Sequence, residues 1–392
     1  MHNDLDVGVF PSTLPRAMNK EQAQSSDRPD DCVTMEDVIL RYKQGPSVAA
    51  QGMPLNDSSD NVDVAVWRPI VVKFQQSSLW RALWQLSNTL GGYALVWALI
   101  YYVINISWWI AIPLACLGAG FVVRTFIIFH DCGHGSFFKS TRANNLVGFI
   151  TGVITLTPFF HWRWEHNIHH ASSGHLDKRG IGDVLTLTVQ EYLESSLWKR
   201  LAYRLARNPF ILLGVAPLYL FLIRQRFPSA KANNRERASV YWMNMAIFCM
   251  AVGMSLIFGV KNYILIQLII TATAGAAGVW LFYVQHQFDG VYWERGENWN
   301  YTKAALEGSS FYKLPRVFQW FSGNIGYHHI HHLSTRIPNY NLARCHKAHP
   351  LFQAVKPVTF FQSFQSFTFR LWDEPRRKLV SFRHLGTIKP QP

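Results

Sequence analysis

The chain carries sixteen histidines, and nine of them fall in three short clusters. His130-Asp-Cys-Gly-His134 reads HxxxH. His166-Asn-Ile-His169-His170 reads HxxHH, and His328-His329-Ile-His331-His332 repeats that pattern with one imidazole added. On a helix, positions i, i+3 and i+4 share a face. His130 and His134 therefore point together, His166, His169 and His170 form one face, and His328, His331 and His332 form another, with His329 off the pattern. His286 stands alone at the end of an apolar run and is a candidate ninth ligand. Eight or nine imidazoles exceed the four ligands of a single tetrahedral zinc and suit two metals with open positions. Imidazole accepts iron, copper and zinc, so the ligands leave the metal open. Asp131, Glu165, Asp177 and Asp183 are candidates to orient imidazole N–H groups from behind. His161 and His329 are read as supporting residues. A lone HxxxH is usually a solvated helix face; three such clusters on one side of the molecule are a shared metal site.

Long apolar elements must position these clusters. Residues 83–104 and 108–129 form two apolar runs separated by a break at Asn105-Ile-Ser107, and residues 240–260 and 263–284 form two more around Lys261-Asn262. Each is close to the roughly 20 residues that span a bilayer. Trp80, Trp84, Tyr101 and Tyr102 flank the first as interfacial anchors. Two shorter apolar stretches, 146–160 and 209–223, read as interfacial. The expected fold is an all-α integral membrane protein of four transmembrane helices in two hairpins. A helical cap (residues 130–239 and 285–392) holds the dimetal site. Arg124, inside the second run, is expected to face the bundle or to snorkel outward.

Charge sets the orientation. The chain has 38 Lys+Arg against 24 Asp+Glu. Residues 1–66 have a net charge of −6 and read as an acidic, polar, disordered tail, with a short helical piece at 35–42. The remaining residues carry +20, and all but two of the 38 cations lie on one side of the inferred spans. Positive residues mark the cytoplasmic side, so both termini and the histidine clusters are expected there. The charge is then topological, and a nucleic-acid partner is not needed to explain it. Five scattered cysteines without a CxxC pair exclude a zinc ribbon and argue against a disulfide scaffold.

With these residues in view, the chain resembles the membrane fatty-acid desaturases, and within them the Δ12/ω6-type acyl-lipid branch of bacteria, cyanobacteria and plants. Phe129-His-Asp-Cys-Gly-His-Gly-Ser-Phe-Phe138, the segment His161–Gly174 and the segment Gly323–Leu342 carry the likeness, which extends over residues 67–372. The resemblance implies two non-haem irons held by His130, His134, His166, His169, His170, His328, His331 and His332, with His286 in the family's extra ligand role. It implies O2 as co-substrate and a cis double bond formed in acyl chains of membrane lipids. No flavin, dinucleotide or haem-binding signature is present in the sequence, so a separate electron donor is expected, ferredoxin first and cytochrome b5 second. A multi-pass protein of a bacterial inner membrane follows. A hydroxylase or ketolase on the same di-iron frame is the near alternative. A membrane metal transporter or sensor is the remote one, since it calls for ligands near the bilayer midplane.

Overall fold

The computed structural model describes residues 64–387. The predicted tail and its helical piece at 35–42 lie outside the described residues, except for residues 64–66, which open the helix Val64–Val72.

The architecture is mostly helical. Three helices are long and apolar enough to cross a membrane: Trp108–His134, Asn234–Phe258 and Val260–His286. Two bent pairs reach that apolarity only when joined, Thr141–Ile154 with Phe159–Ser172 at 99° and Leu197–Ala206 with Ile211–Arg226 at 65°. The candidate spans among the described residues therefore number three to five. The predicted first span lies in the 25-residue helix Leu79–Val103. It has the length, but Ser87, Asn88, Thr89 and the Gly91-Gly92 pair leave it less apolar than the other three.

Trp108–His134 is the central helix and packs against Leu79–Val103 and Val260–His286. Ala111, Ala115 and Ala119 recur every four residues along its buried side, beside Val96, Ile100, Ile266 and Ile270. Small residues on one stripe let the backbones approach closely. Arg124 turns into this bundle. Its Nε donates to Thr89 Oγ1 at 3.0 Å, and its guanidinium lies 4.0 Å from the Trp320 ring centroid.

The helix ends differ from the sequence reading in a way that matters. The turn of the second hairpin is Gly259, at φ 77° and ψ 143°, a backbone conformation that residues with a Cβ avoid. Lys261 and Asn262, predicted as the break, lie within the first turn of Val260–His286. Trp108–His134 runs five residues past its predicted end. It stops at Gly135, whose left-handed φ of 68° lets its N–H reach back to the Asp131 and Cys132 carbonyls. Both helices therefore deliver histidines, His134 and His286, as their last residues.

The expected all-α class also needs correcting. Two small sheets join the cap: Phe311–Lys313 pairs in parallel with Pro357–Thr359, and Leu371–Asp373 pairs antiparallel with Lys378–Val380. Behind the third histidine cluster, Trp67 and Val71 of the Val64–Val72 helix join Ile330, Leu333, Ile337 and Leu342 in one apolar core. That core sets the short helix His328–Leu333 against the bundle.

Candidate metal centre

Four helices present imidazoles to one interior. Trp108–His134 brings His130 and His134, Phe159–Ser172 brings His166, His169 and His170, Val260–His286 brings His286, and His328–Leu333 brings His328, His331 and His332. Eight of the nine rings are buried and His134 is half-buried.

The rings sort into two groups. One holds His130, His134, His166, His170 and His331; the other holds His169, His286, His328 and His332. Within each group the candidate ligand atoms lie within 4.8 Å of one another. The two HxxHH faces thus do not each converge on a single point, as the sequence suggested. The i and i+4 members of each motif enter one group and the i+3 member enters the other. The groups are adjacent: the His170 and His332 ring centroids are 4.2 Å apart.

The separations carry chemical information. In the first group, Nε2 atoms stand 3.1 Å apart for His166 and His170 and 3.0 Å apart for His170 and His331. In the second, the spacings are 3.2 Å for His169 and His286, 3.0 Å for His286 and His328, and 3.1 Å for His328 and His332. Such chains of Nε2 atoms cannot all be donor–acceptor pairs, because each ring offers one function at that atom. Two imidazole nitrogens bound at right angles to one cation at about 2.1 Å lie about 3 Å apart. The Nε2 of His134 is also buried without a protein partner. The donor set therefore fits two cations, one for each group.

The outward nitrogens complete the arrangement. His130 Nδ1 lies 3.0 Å from Asp131, which accepts the backbone and side-chain N–H groups of Asn339 at 2.6 and 2.9 Å. His169 Nδ1 contacts the Asp183 carboxylate, and His286 Nδ1 lies 3.3 Å from the Gly308 carbonyl. These contacts select the tautomer that leaves Nε2 free as a ligand. Burial, followed by neighbouring imidazoles, holds His328, His331 and His332 well below the ordinary histidine pKa. Each is therefore neutral at pH 7, the form that binds metal.

Four predicted supporting residues sit elsewhere. Glu165 pairs with Arg224 at 3.1 Å, and His161 accepts the Ser229 N–H at 2.9 Å, with Glu165 3.8 Å from its other nitrogen. Neither hydrogen-bonds a clustered imidazole. Asp177 binds Arg295 and the Gly296 N–H on the cap surface. His329 joins neither group; its Nε2 lies 3.1 Å from Nδ1 of His346, under Phe311. Sequence reasoning gave His346 a structural or solvated reading without its His329 partner and missed Asn339, since no local spacing ties either to the clusters.

The fatty acid desaturase family profile matches residues 106–363, which include every clustered histidine. The chain belongs to the fatty acid desaturase family. A Bacillus subtilis relative named fatty acid desaturase is 49% identical over 318 residues, 81% of this chain and 90% of that protein. A Synechocystis sn-1 acyl-lipid omega-3 desaturase (ferredoxin) is 26% identical over 59% of this chain and 64% of its own length. A chloroplastic omega-3 fatty acid desaturase of Ricinus communis is 28% identical over 64% of this chain and 54% of its own. Membership makes this desaturase an oxidoreductase with a histidine-rich metal site and membrane-like helices.

Proposed function

We propose that the protein is an O2-dependent acyl-lipid desaturase that introduces a cis double bond into membrane glycerolipid chains. The observation that carries this reading is the division of nine imidazoles into two adjacent groups with Nε2 atoms about one metal-ligand spacing apart. His130, His134, His166, His170 and His331 would hold one iron, and His169, His286, His328 and His332 the other. Bound iron supplies the reduction of O2 that removes two hydrogens from an unactivated methylene, chemistry no side chain supplies. The protein's part is to hold and orient. Asp131, Asp183 and the Gly308 carbonyl fix the rings of His130, His169 and His286. Burial keeps the remaining imidazoles neutral and excludes bulk water from them.

Four crossings, from Leu79–Val103, Trp108–His134, Asn234–Phe258 and Val260–His286, fit this reading, with the bent pairs at the interface. So does a cytoplasmic cap in a bacterial inner membrane, with the acidic tail as a separate region. The basic cap favours an acidic electron donor, and the Synechocystis relative's name makes ferredoxin the first candidate. The words around the third cluster favour the acyl-lipid branch, whose Δ12/ω6 type the chain resembles, while the names of several relatives favour omega-3. Expression in a host, with gas chromatography–mass spectrometry of derivatised fatty acids, tests the activity and separates the two positions. Hydroxylated chains without new double bonds would replace desaturase by hydroxylase.

A further inference from the structure

The cap edge beside the second histidine cluster holds more positive charge than the fold consumes. Arg163 lies on the Phe159–Ser172 helix, Arg224, Arg226 and Lys231 lie on the segment that leads into Asn234–Phe258, and Arg235 and Arg237 lie in the first turn of that helix. Two carboxylates accompany them, and both are engaged: Glu165 by Arg224, and Glu236 by the Asn233 N–H at 2.8 Å. Arg163 is half-buried and makes no hydrogen bond or ion pair among the described residues, yet it lies close enough to Arg235 for the two guanidiniums to repel. Arg235 is held over the Phe160 ring at 4.2 Å, which fixes its position without neutralising it. Arg226 gives one N–H to the Leu156 carbonyl, while its Nε and Nη1 are sealed from solvent with no acceptor. A half-buried cation with no partner is unfavourable until an anion joins it.

A second observation gives the depth of this cluster. Below it, Asn234–Phe258 exposes Tyr241 and Trp242 (59% and 69%), then Met245, Phe248, Val252 and Leu256. Exposed Tyr and Trp above an apolar face mark the headgroup level of a bilayer. Arg235 precedes them by six and seven residues, about 10 Å up the helix. Phe227, next to Arg226, is 64% exposed. The Arg235 guanidinium thus stands on the water side of that level, where a long cationic side chain can reach back to lipid phosphates. Arg163 is also three residues before His166, one turn away on the same helix.

We propose that Arg163 and Arg235 bind the phosphate of a glycerophospholipid and so present its acyl chain to the histidine centre. The delivery of substrate rests on the desaturase reading; the phospholipid site does not. Native mass spectrometry on the purified, metal-loaded full chain tests it. The probes are phosphatidylglycerol, a diglucosyl diacylglycerol with the same acyl chains, and inorganic phosphate. The double variant Arg163→Gln/Arg235→Gln is expected to lose at least tenfold in phosphatidylglycerol affinity, to bind the glycolipid as wild type does, and to keep its metal. Unchanged phosphatidylglycerol binding would overturn the proposal. So would an equal loss for both lipids, or displacement of the lipid by millimolar phosphate, which would mark a free-anion site. If the double variant loses metal, the exposed-site variant Arg235→Gln alone carries the test, with an expected loss of at least threefold. A wild type that binds phosphatidylglycerol but forms no double bond in the host overturns only the desaturase reading.

Discussion

The two imidazole groups are built from the same motifs but not in the same way. The first takes an i, i+4 pair from the end of a membrane helix, a second such pair from the Phe159–Ser172 helix, and the single His331. The second takes one i, i+4 pair, His328 and His332, and completes itself with two single residues, His169 and His286. A helix face supplies a pair cheaply in conformational terms, because one backbone orients both rings. Single residues must be brought from a different helix than the pair they complete. In the second group both single residues have support, a carboxylate behind His169 and a carbonyl behind His286; in the first the support, Asp131, lies behind the paired His130, and the single His331 has an unpartnered Nδ1. The doubled histidine in each HxxHH also acquires a reason: one member of the doublet serves each group, and the two groups are thereby held side by side.

The largest effects should come from the residues that cross between motifs. His331→Ala and His169→Ala each remove one ligand from a different group. Each variant should insert in the membrane, lose activity at least a hundredfold, and lower bound iron from two per chain towards one. Activity comes from host fatty-acid analysis and metal from elemental analysis of purified protein. Full activity in either variant would refute ligation at that position.

His286→Ala sharpens the comparison further, since it strikes only the group with four members. The iron of the five-imidazole group should remain, giving about one iron per chain with little or no double-bond formation. Loss of both metals would mean that the groups do not bind independently.

Much of this centre is legible in the sequence, and the reason is local. HxxxH and HxxHH are helix-face patterns, and a helix face is fixed within one turn. The assignment of faces to groups is not local. His169 and His170 are neighbours about 100° apart on one helix, and only the placement of Val260–His286 and His328–Leu333 decides which partners each meets. Asn339, which holds Asp131, is 208 positions away in sequence. The hairpin at Gly259 was misplaced for a different reason. Lys261 and Asn262 are the polar residues there, but the chain turns where φ must be positive, not where polarity is highest.

Asp183→Asn and Asp131→Asn compare the supports behind the two groups. Replacing a carboxylate partner of a ligating histidine typically lowers metal affinity about 10–100-fold. The Asp183 change should act on one iron and the Asp131 change on the other, each measured by competition with a chelator. Asp131 also receives two N–H groups from Asn339, so its replacement should disturb the fold more, seen as the larger fall in melting temperature. Equal loss of both irons in either variant would break the assignment of one carboxylate to one group.

The smallest effect should come from His329, the histidine inside the third cluster that joins neither group. Burial, with a smaller contribution from His346, pushes its pKa down to about 3, so it is uncharged at neutral pH. The contact with His346 is therefore a hydrogen bond between neutral rings. His329→Ala leaves a buried nitrogen of His346 without its partner, a loss of about 1–3 kcal/mol. The variant should melt at a lower temperature while binding the full complement of iron. Iron loss without a change in melting temperature would instead make His329 a ligand and move the boundary between the two groups.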